Sequence, residues 1–355
     1  MDFYQALQDE PAVLKKKFRE AGDKRHKRWL ITAMVVRAVL MVIFSVIFIS
    51  GLAMLFGDDN SNMAVVIFCI FLCLRFVDFD YCMRDALINM AIIFTILYIS
   101  PVAVQFMPPL AAFVLNLVSM FVFLFMACEQ PEMGNGGLYM FGYIFLTGTR
   151  PDLEVFKARG AMMIFCFAVC GALYFLKHHG KKKEKKFIDV LKNIDMSDER
   201  RLWQLRTALG ISSFYLFASL LGMERLMWGG FACSSLLTAY AGKLHVRARD
   251  RVVGAVGGTG LFYLMWHLIP QSLASFFGPL AGLCIGFCGT YKYKTVFNCI
   301  GAMMAALGIY GLTQAAALRI FNNIMGVLYA CLFAWVWKKI IKALGKREQY
   351  LKAEA

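Results

Sequence analysis

Apolar stretches recur along almost the whole chain, separated by short polar blocks rich in Lys and Arg. A helix needs about 20 mainly apolar residues to cross the hydrocarbon core of a bilayer. Inside lipid, backbone N–H and C=O groups must find partners within their own segment, which a helix provides. This pattern predicts an all-α, polytopic integral membrane bundle. Twelve candidate spans can be marked: 31–56, 61–77, 86–106, 109–128, 136–149, 158–176, 207–222, 226–242, 252–269, 272–290, 295–313 and 319–340. The fifth, 136–149, is short, and short or Gly-interrupted spans suit tilted, re-entrant or broken helices.

Composition agrees. The chain is 60% hydrophobic and 17% charged, whereas soluble domains average about 45–50% apolar and about 25% charged. Mean hydropathy is +0.61. A net charge of +15 would suggest nucleic acid in a soluble protein. Here the cations sit in short blocks between apolar segments, as cytoplasmic loops do, so no nucleic-acid partner is expected.

The charge blocks set an orientation. With the N-terminus inside, the inner loops are 78–85, 129–135, 177–206, 243–251 and 291–294, carrying "KHHGKKKEKK", "KLHVRARDR" and "YKYK". The outer loops include "GDDNS", "FMPP", "GMER" and "IPQS", poor in lysine; "RPDLEVFKAR" (Arg150 to Arg159) is the exception. Both termini are therefore expected in the cytoplasm, in a multi-pass protein of a bacterial plasma membrane. No signal peptide is expected, because a polar segment precedes the first apolar one and no cleavage site follows a short apolar core.

The longest polar stretch divides the chain. The expected organisation is a basic amphipathic lead-in at 1–30, a six-span half at 31–176, a basic linker at 177–206, a second six-span half at 207–340 and a basic tail at 341–355. Six is even, so the halves would be parallel repeats related by an axis along the membrane normal. Faint internal similarity supports this. Arg37 in "VVRAVL" and Arg206 in "QLRTAL" begin each half, Gly57 and Gly222 follow the first spans, and "MRD" (Arg84, Asp85) and "ARD" (Arg249, Asp250) come next at equal distance. In the lead-in, Phe3, Leu7, Leu14 and Phe18 recur at helical spacing among lysines and arginines. That fits either a helix lying on anionic lipid headgroups or a solvated basic tail.

The stretch "KLHVRARDRVVGAVGGTG" sets a basic cluster against a glycine run. It lacks the Lys-Ser/Thr ending of a P-loop and follows no strand. The better reading is a cytoplasmic loop followed by the start of a membrane helix. Gly254 and Gly258, and likewise Gly278 and Gly282, are four apart and share a helix face, which lets neighbouring backbones approach.

From here the chain resembles the fusaric acid resistance family, which includes bacterial aromatic acid exporters and is related to the plant aluminium-activated malate transporters. Members typically show Arg near a helix start, a Trp-containing helix, then Arg-x-x-Gly-Thr-x-x-Gly. These fall on Arg206, Trp228 and Arg251-Val-Val-Gly254-Ala255-Val-Gly-Gly258. Ala255 stands where the family has Thr, and the linker is shorter than the cytoplasmic domain of some members. The resemblance implies export or permeation of organic anions, often aromatic carboxylates.

Arginine within hydrocarbon is costly and points to function. Arg37 and Arg206 could each hold a carboxylate bidentately, or snorkel to the surface. Arg84, Arg249 and Arg251, with Asp85 and Asp250, would form either an anion-attracting inner collar or a topology-setting loop. Trp228 would stack on substrate or anchor the interface. Asp85 and Asp250 are the candidates for coupling, with Glu129 and His267 behind them. The pairs Cys69/Cys73, Cys166/Cys170 and Cys284/Cys288 and the adjacent His178 and His179 lack metal-ligand company, so neither metal nor cofactor is expected, and all 11 cysteines read as thiols. No catalytic constellation occurs. The expected function is efflux of small organic anions. A non-transporting scaffold or envelope-assembly factor and a channel-like anion pathway are the alternatives, an enzyme acting on a lipid-linked substrate is weaker, and homo-oligomerisation is left open.

Overall fold

The computed structural model describes residues 3–181, 183–195, 198–240 and 244–343. Lys243, at the head of the basic cluster, and the tail from 344 onward lie outside these residues. All regular structure among the described residues is helical: α1 Phe3–Gln8, α2 Pro11–Glu20, α3 Lys24–Phe56, α4 Ser61–Leu74, α5 Met83–Ala103, α6 Pro109–Ala127, α7 Gly136–Thr147, α8 Leu153–His178, α9 Phe187–Lys192, α10 Glu199–Leu220, α11 Leu226–Leu237, α12 Leu244–Leu268, α13 Phe277–Phe287 and α14 Tyr291–Ala343, with short 3-10 turns between some of them.

A helix underlies each of the twelve apolar segments. The last two share α14, which breaks at Gly311, where φ is 72°. Five helical stretches among the described residues are long and apolar enough to cross a membrane: Lys24–Phe56, Met83–Phe106, Pro109–Ala127, Leu153–His178 and Tyr291–Ala343. Twelve full spans are thus not confirmed, for physical reasons. α7 has 12 residues, a rise of roughly 18 Å, against a core of about 30 Å. α4, α11 and α13 are similarly short, while α10 and α12 spend their first turns on charged residues.

Several ends follow from local chemistry. Asp152 caps α8 by accepting from the backbone N–H of Val155, and Asp198 caps α10 by accepting from that of Arg200. Such caps satisfy donors that a helix start leaves open. Gly57 and Gly222, which end α3 and follow α10, both take left-handed φ, 92° and 62°. Both conformations suit glycine.

Compactness divides the chain elsewhere than at 177–206. One unit comprises Met1–Ile47 with His245–Ile324, the other Phe48–Leu244 with Met325–Ala355.

In the first unit, Ala6 and Leu14 of the lead-in are fully buried in a cluster with Leu30 and Ala33 of α3. The lead-in's apolar face therefore packs on protein. α12 lies close to the first part of α14 through its glycines. A Cβ on Gly254 would stand 2.9 Å from the carbonyl O of Lys292, and one on Gly258 would stand 2.3 Å from that of Val296. The second glycine pair behaves differently from expectation. A Cβ on Gly278 would meet nothing within 4 Å and one on Gly282 only Val42 at 3.7 Å, so this pair makes no close backbone approach.

In the second unit α10 packs on α6 and α11. Gln204 Nε2 donates to the carbonyls of Leu124 and Cys128 at the end of α6, at 3.1 and 3.2 Å. Tyr143 donates to Asn116 Oδ1 at 2.8 Å. Buried polar side chains thus serve as interhelical ties, as packing in membranes favours. All eleven cysteines are free thiols.

Candidate functional site

Arg206 sits two turns into α10 and is 4% exposed. Its Nη2 donates to the carbonyl of Leu237 at 3.1 Å, and Thr207 Oγ1 donates to the same oxygen at 3.0 Å. Leu237 is the last residue of α11, where carbonyls lack intrahelical partners and the helix dipole favours a cation. Arg206 also lines a cavity of 190 Å³ with Leu236, Cys331, Ala334, Trp335 and Lys338. This cavity combines two cationic residues, a tryptophan and aliphatic walls. Lys339 Nζ lies 3.7 Å from the Trp335 ring centroid on the adjoining surface.

The other candidate contacts lie apart from that cavity. Arg37, half-buried on α3, donates from Nη1 to the carbonyl of Gly286 in α13 at 3.5 Å, a tie between two helices of the first unit. Arg84 is exposed. Asp85 accepts from the backbone N–H of Phe187 at 2.7 Å, so it holds the first turn of α9. Trp228 is 1% exposed, with the Arg225 guanidinium 5.6 Å from its ring centroid.

The expected basic collar splits into unlike members. Arg249 has a side chain 71% exposed and faces Asp250 at 3.4 Å. Arg251, two residues on, is 9% exposed. Its Nε donates to Asn323 Oδ1 at 3.0 Å and its Nη1 to the Tyr291 hydroxyl at 3.4 Å. The Arg247 guanidinium lies 4.7 Å from the centroid of the Tyr291 ring. Arg319, the first residue of the last candidate span, is 4% exposed and places Nη2 3.7 Å from Cys299 Sγ.

A further charged network is built by the basic linker, which the sequence presents only as a polar run. Lys181 and Lys183 reach Asp78 at 3.6 and 3.5 Å, and Lys183 also pairs with Asp80. Lys185 joins Asp80 at 3.4 Å and Glu129 at 2.6 Å. Arg200 and Arg201 complete the ring around Glu129, at 3.5 and 2.6 Å. Burial pushes the Asp78 carboxyl up, but the Asp80 N–H, the Lys183 charge, the Tyr174 hydroxyl and His178 outweigh it and hold Asp78 below the usual carboxylate range. Lys183 is held above its ordinary value, its own desolvation being outweighed by Asp80 and Asp78. The signal in the sequence is charge complementarity: "DFD" in the loop before α5 and a lysine run in the linker.

Residues 212–333 match the fusaric acid resistance protein-like family. The match covers about a third of the chain and agrees with the resemblance seen in the motif residues. No curated protein and no solved structure matches the chain. The family segment points to a multi-pass membrane protein of transport or resistance type. It contains Trp228, Arg249, Asp250, Arg251 and Arg319, with the glycines of α12 and α13. Arg206, Trp335 and Lys338 lie just beyond its two ends. At the family's Thr position this chain has Ala255, and one turn further along the same face stands Thr259, 2% exposed, whose Oγ1 has no hydrogen-bond partner among the described residues.

Proposed function

We propose that the protein carries small organic anions, aromatic or other carboxylates, out of a bacterial cell across the plasma membrane. The observation that carries this reading is the cavity at Arg206. A guanidinium presents a planar fork to a carboxylate, Lys338 adds a second positive charge, and Trp335 with Cys331 and Ala334 offers an apolar wall for the remainder of the ligand. Such a mixture of apolar lining and few convergent polar groups is typical of small-molecule sites. The exposed Arg249 would raise the local anion concentration from outside the site.

Channel-like permeation is the second reading. From Arg251 to Arg347 the sequence contains no Asp or Glu, so a carboxylate proton relay through that segment has no members. A non-transporting scaffold role would leave the cavity without a ligand.

The deciding experiment is efflux of benzoate and of malate from loaded proteoliposomes holding the purified protein. Efflux above that of empty vesicles, reduced in Arg206→Gln at equal protein content, is expected. Absence of efflux for both anions under an imposed gradient would remove the transport reading.

A further inference from the structure

The linker helix α9 packs on the rest of the second unit with one side. Phe187 meets Tyr81 and Phe125 edge-on, with ring centroids 5.7 Å apart in both pairs. Its N–H donates to Asp85 at 2.7 Å, and the Cys82 N–H donates to the Lys185 carbonyl at 2.8 Å. The start of α9 is therefore fastened to the first turn of α5, which opens a stretch long and apolar enough to cross a membrane. The linker itself leaves from the end of a second such stretch, α8, which stops at His178 and exposes Phe175 and Leu176 in its last turn. A segment tied to the ends of two such helices stands level with lipid headgroups wherever those helices cross a bilayer.

The other side of α9 is apolar and uncovered. Ile188 is 50% exposed, Leu191 41% and Ile194, just past the helix, 42%. Ile188 and Leu191 are three apart and share a face. Large aliphatic groups gain by leaving water. Lys192 stands one turn from Ile188 on the same face, while Asp189 falls nearly opposite Leu191 on a helix of about 3.6 residues per turn. Lys181, Lys183 and Lys185 are drawn to Asp78, Asp80 and Glu129. Lys186 and Lys192 are exposed, as is Arg84 in the first turn of α5. An aliphatic face bordered by cations is the make-up of a helix that lies in the interface of an anionic bilayer. The lead-in has a similar make-up, but Leu14 and Ala6 of its apolar face are already buried against α3.

We propose that α9 lies in the headgroup layer of an anionic leaflet. Ile188, Leu191 and Ile194 enter the upper acyl region, and Lys186, Lys192 and Arg84 face lipid phosphates. The linker is then held from two sides, by the acids of its own unit and by lipid. This contact is separate from the cavity at Arg206 and does not rest on the transport reading.

The test is photo-crosslinking of the full-length protein, one copy per nanodisc, in an equal mixture of phosphatidylcholine and phosphatidylglycerol. p-Benzoylphenylalanine replaces Leu191 in one variant and Asp189 in another. A third carries it in place of Ile164, which is 75% exposed on α8, as the positive control. All of these positions, and those of Lys186 and Lys192, are exposed, so folding does not limit the comparison. Lipid adducts are expected at 191 and 164 and few at 189, with phosphatidylglycerol in excess at 191. Lys186→Gln and Lys192→Gln should each lower that excess by about fivefold, the equivalent of about 1 kcal/mol per cation near the surface. Absence of lipid adducts at 191 while 164 is labelled overturns the proposal, and so does labelling at 189 equal to that at 191. A phosphatidylglycerol share equal to that of the bilayer, unmoved by the lysine changes, overturns the anionic assignment. Adducts of 191 with a second copy of the chain in liposomes, in place of lipid, would assign the face to a chain–chain contact instead.

Discussion

Arg201 Nη1 stands 2.6 Å from Oε1 of Glu129, and the two side chains are 5% and 1% exposed. The Arg201 guanidinium carbon also lies over the Phe125 ring, 4.3 Å from its centroid, and Nη1 donates to Gln204 Oε1 at 2.9 Å. The pair fastens the first turn of α10 to the loop that leaves α6. Glu129 is shared with Lys185 and Arg200, so the linker closes over the same carboxylate. What reads as a connecting segment is therefore part of the second unit's packing.

Removing one partner of such a pair leaves the other buried and uncompensated, at a cost of about 3–5 kcal/mol. Glu129→Gln should destabilise the protein by that amount. Replacing both members by methionine should recover much of the loss, because desolvation is then no longer paid. Chemical unfolding in detergent gives both numbers. A loss below about 1 kcal/mol in Glu129→Gln would show that the ring of cations holds together without it.

The linker's attachment has a defined pH window. The folded-state pKa of Asp78 is below the ordinary 3.8, so its contribution is fully present above that value and fades as pH falls through the lower, folded-state pKa. The folded-state pKa of Lys183 is above 10.5, so its contribution is present below 10.5 and fades only as pH rises through that higher folded-state pKa. An environment-sensitive probe on Glu184→Cys should report a docked linker unchanged from pH 5 to 9. Release should appear only below the ordinary carboxylate range, and Asp78→Asn should remove that acid transition. Release centred near neutral pH would assign the contact to other groups.

Gly258 and Gly278 look alike in the sequence and differ in their surroundings. A methyl group on Gly258 would stand 2.3 Å from a backbone carbonyl, which cannot turn aside, so α12 and α14 must part. Overpacking of this kind costs about 1–3 kcal/mol. Gly278 is open on all sides, and alanine is the better helix former by about 1 kcal/mol. Gly258→Ala should therefore lower the unfolding temperature, and Gly278→Ala should leave it unchanged or raise it.

The same contrast shows how far the residues could be read in advance. Every apolar segment carries a helix, because crossing lipid imposes a local rule of length and apolarity that the sequence displays directly. Arg206 was legible because an arginine inside an apolar run is conspicuous. Its cavity partners Trp335 and Lys338 lie within the last apolar segment, 319–340, and only the packing of α14 brings them together with α10. Arg251 and Asn323 meet across 72 positions, and Glu129 meets Arg201 from a different helix. Which distant residues become neighbours is decided by packing of the whole unit, and no local pattern encodes it. For the same reason a lysine run reads as solvated until the acids opposite it are located.

Exposure separates the arginines that the sequence singles out, and transport should separate them again. Arg249 is in solvent, so its effect on anions is a field, screened beyond about 10 Å at 0.1 M salt. Arg249→Gln should lower efflux at limiting substrate and low salt, with little loss at high salt or saturating substrate. Arg206 is buried beside its cavity, where a lost charge-assisted hydrogen bond is worth roughly 1.5–3 kcal/mol, about a ten- to hundredfold change in affinity. The loss in Arg206→Gln should persist at high salt, and Arg206→Lys should rescue it in part, because lysine keeps the charge and loses the planar fork. Arg37, bonded to the Gly286 carbonyl, should respond to Gln mainly through stability, with efflux per folded molecule little changed. Efflux from vesicles at matched protein content and two ionic strengths measures all four variants. Equal salt dependence across them would leave Arg249 as a topology signal, and normal efflux in Arg206→Gln would remove the cavity from the anion's path.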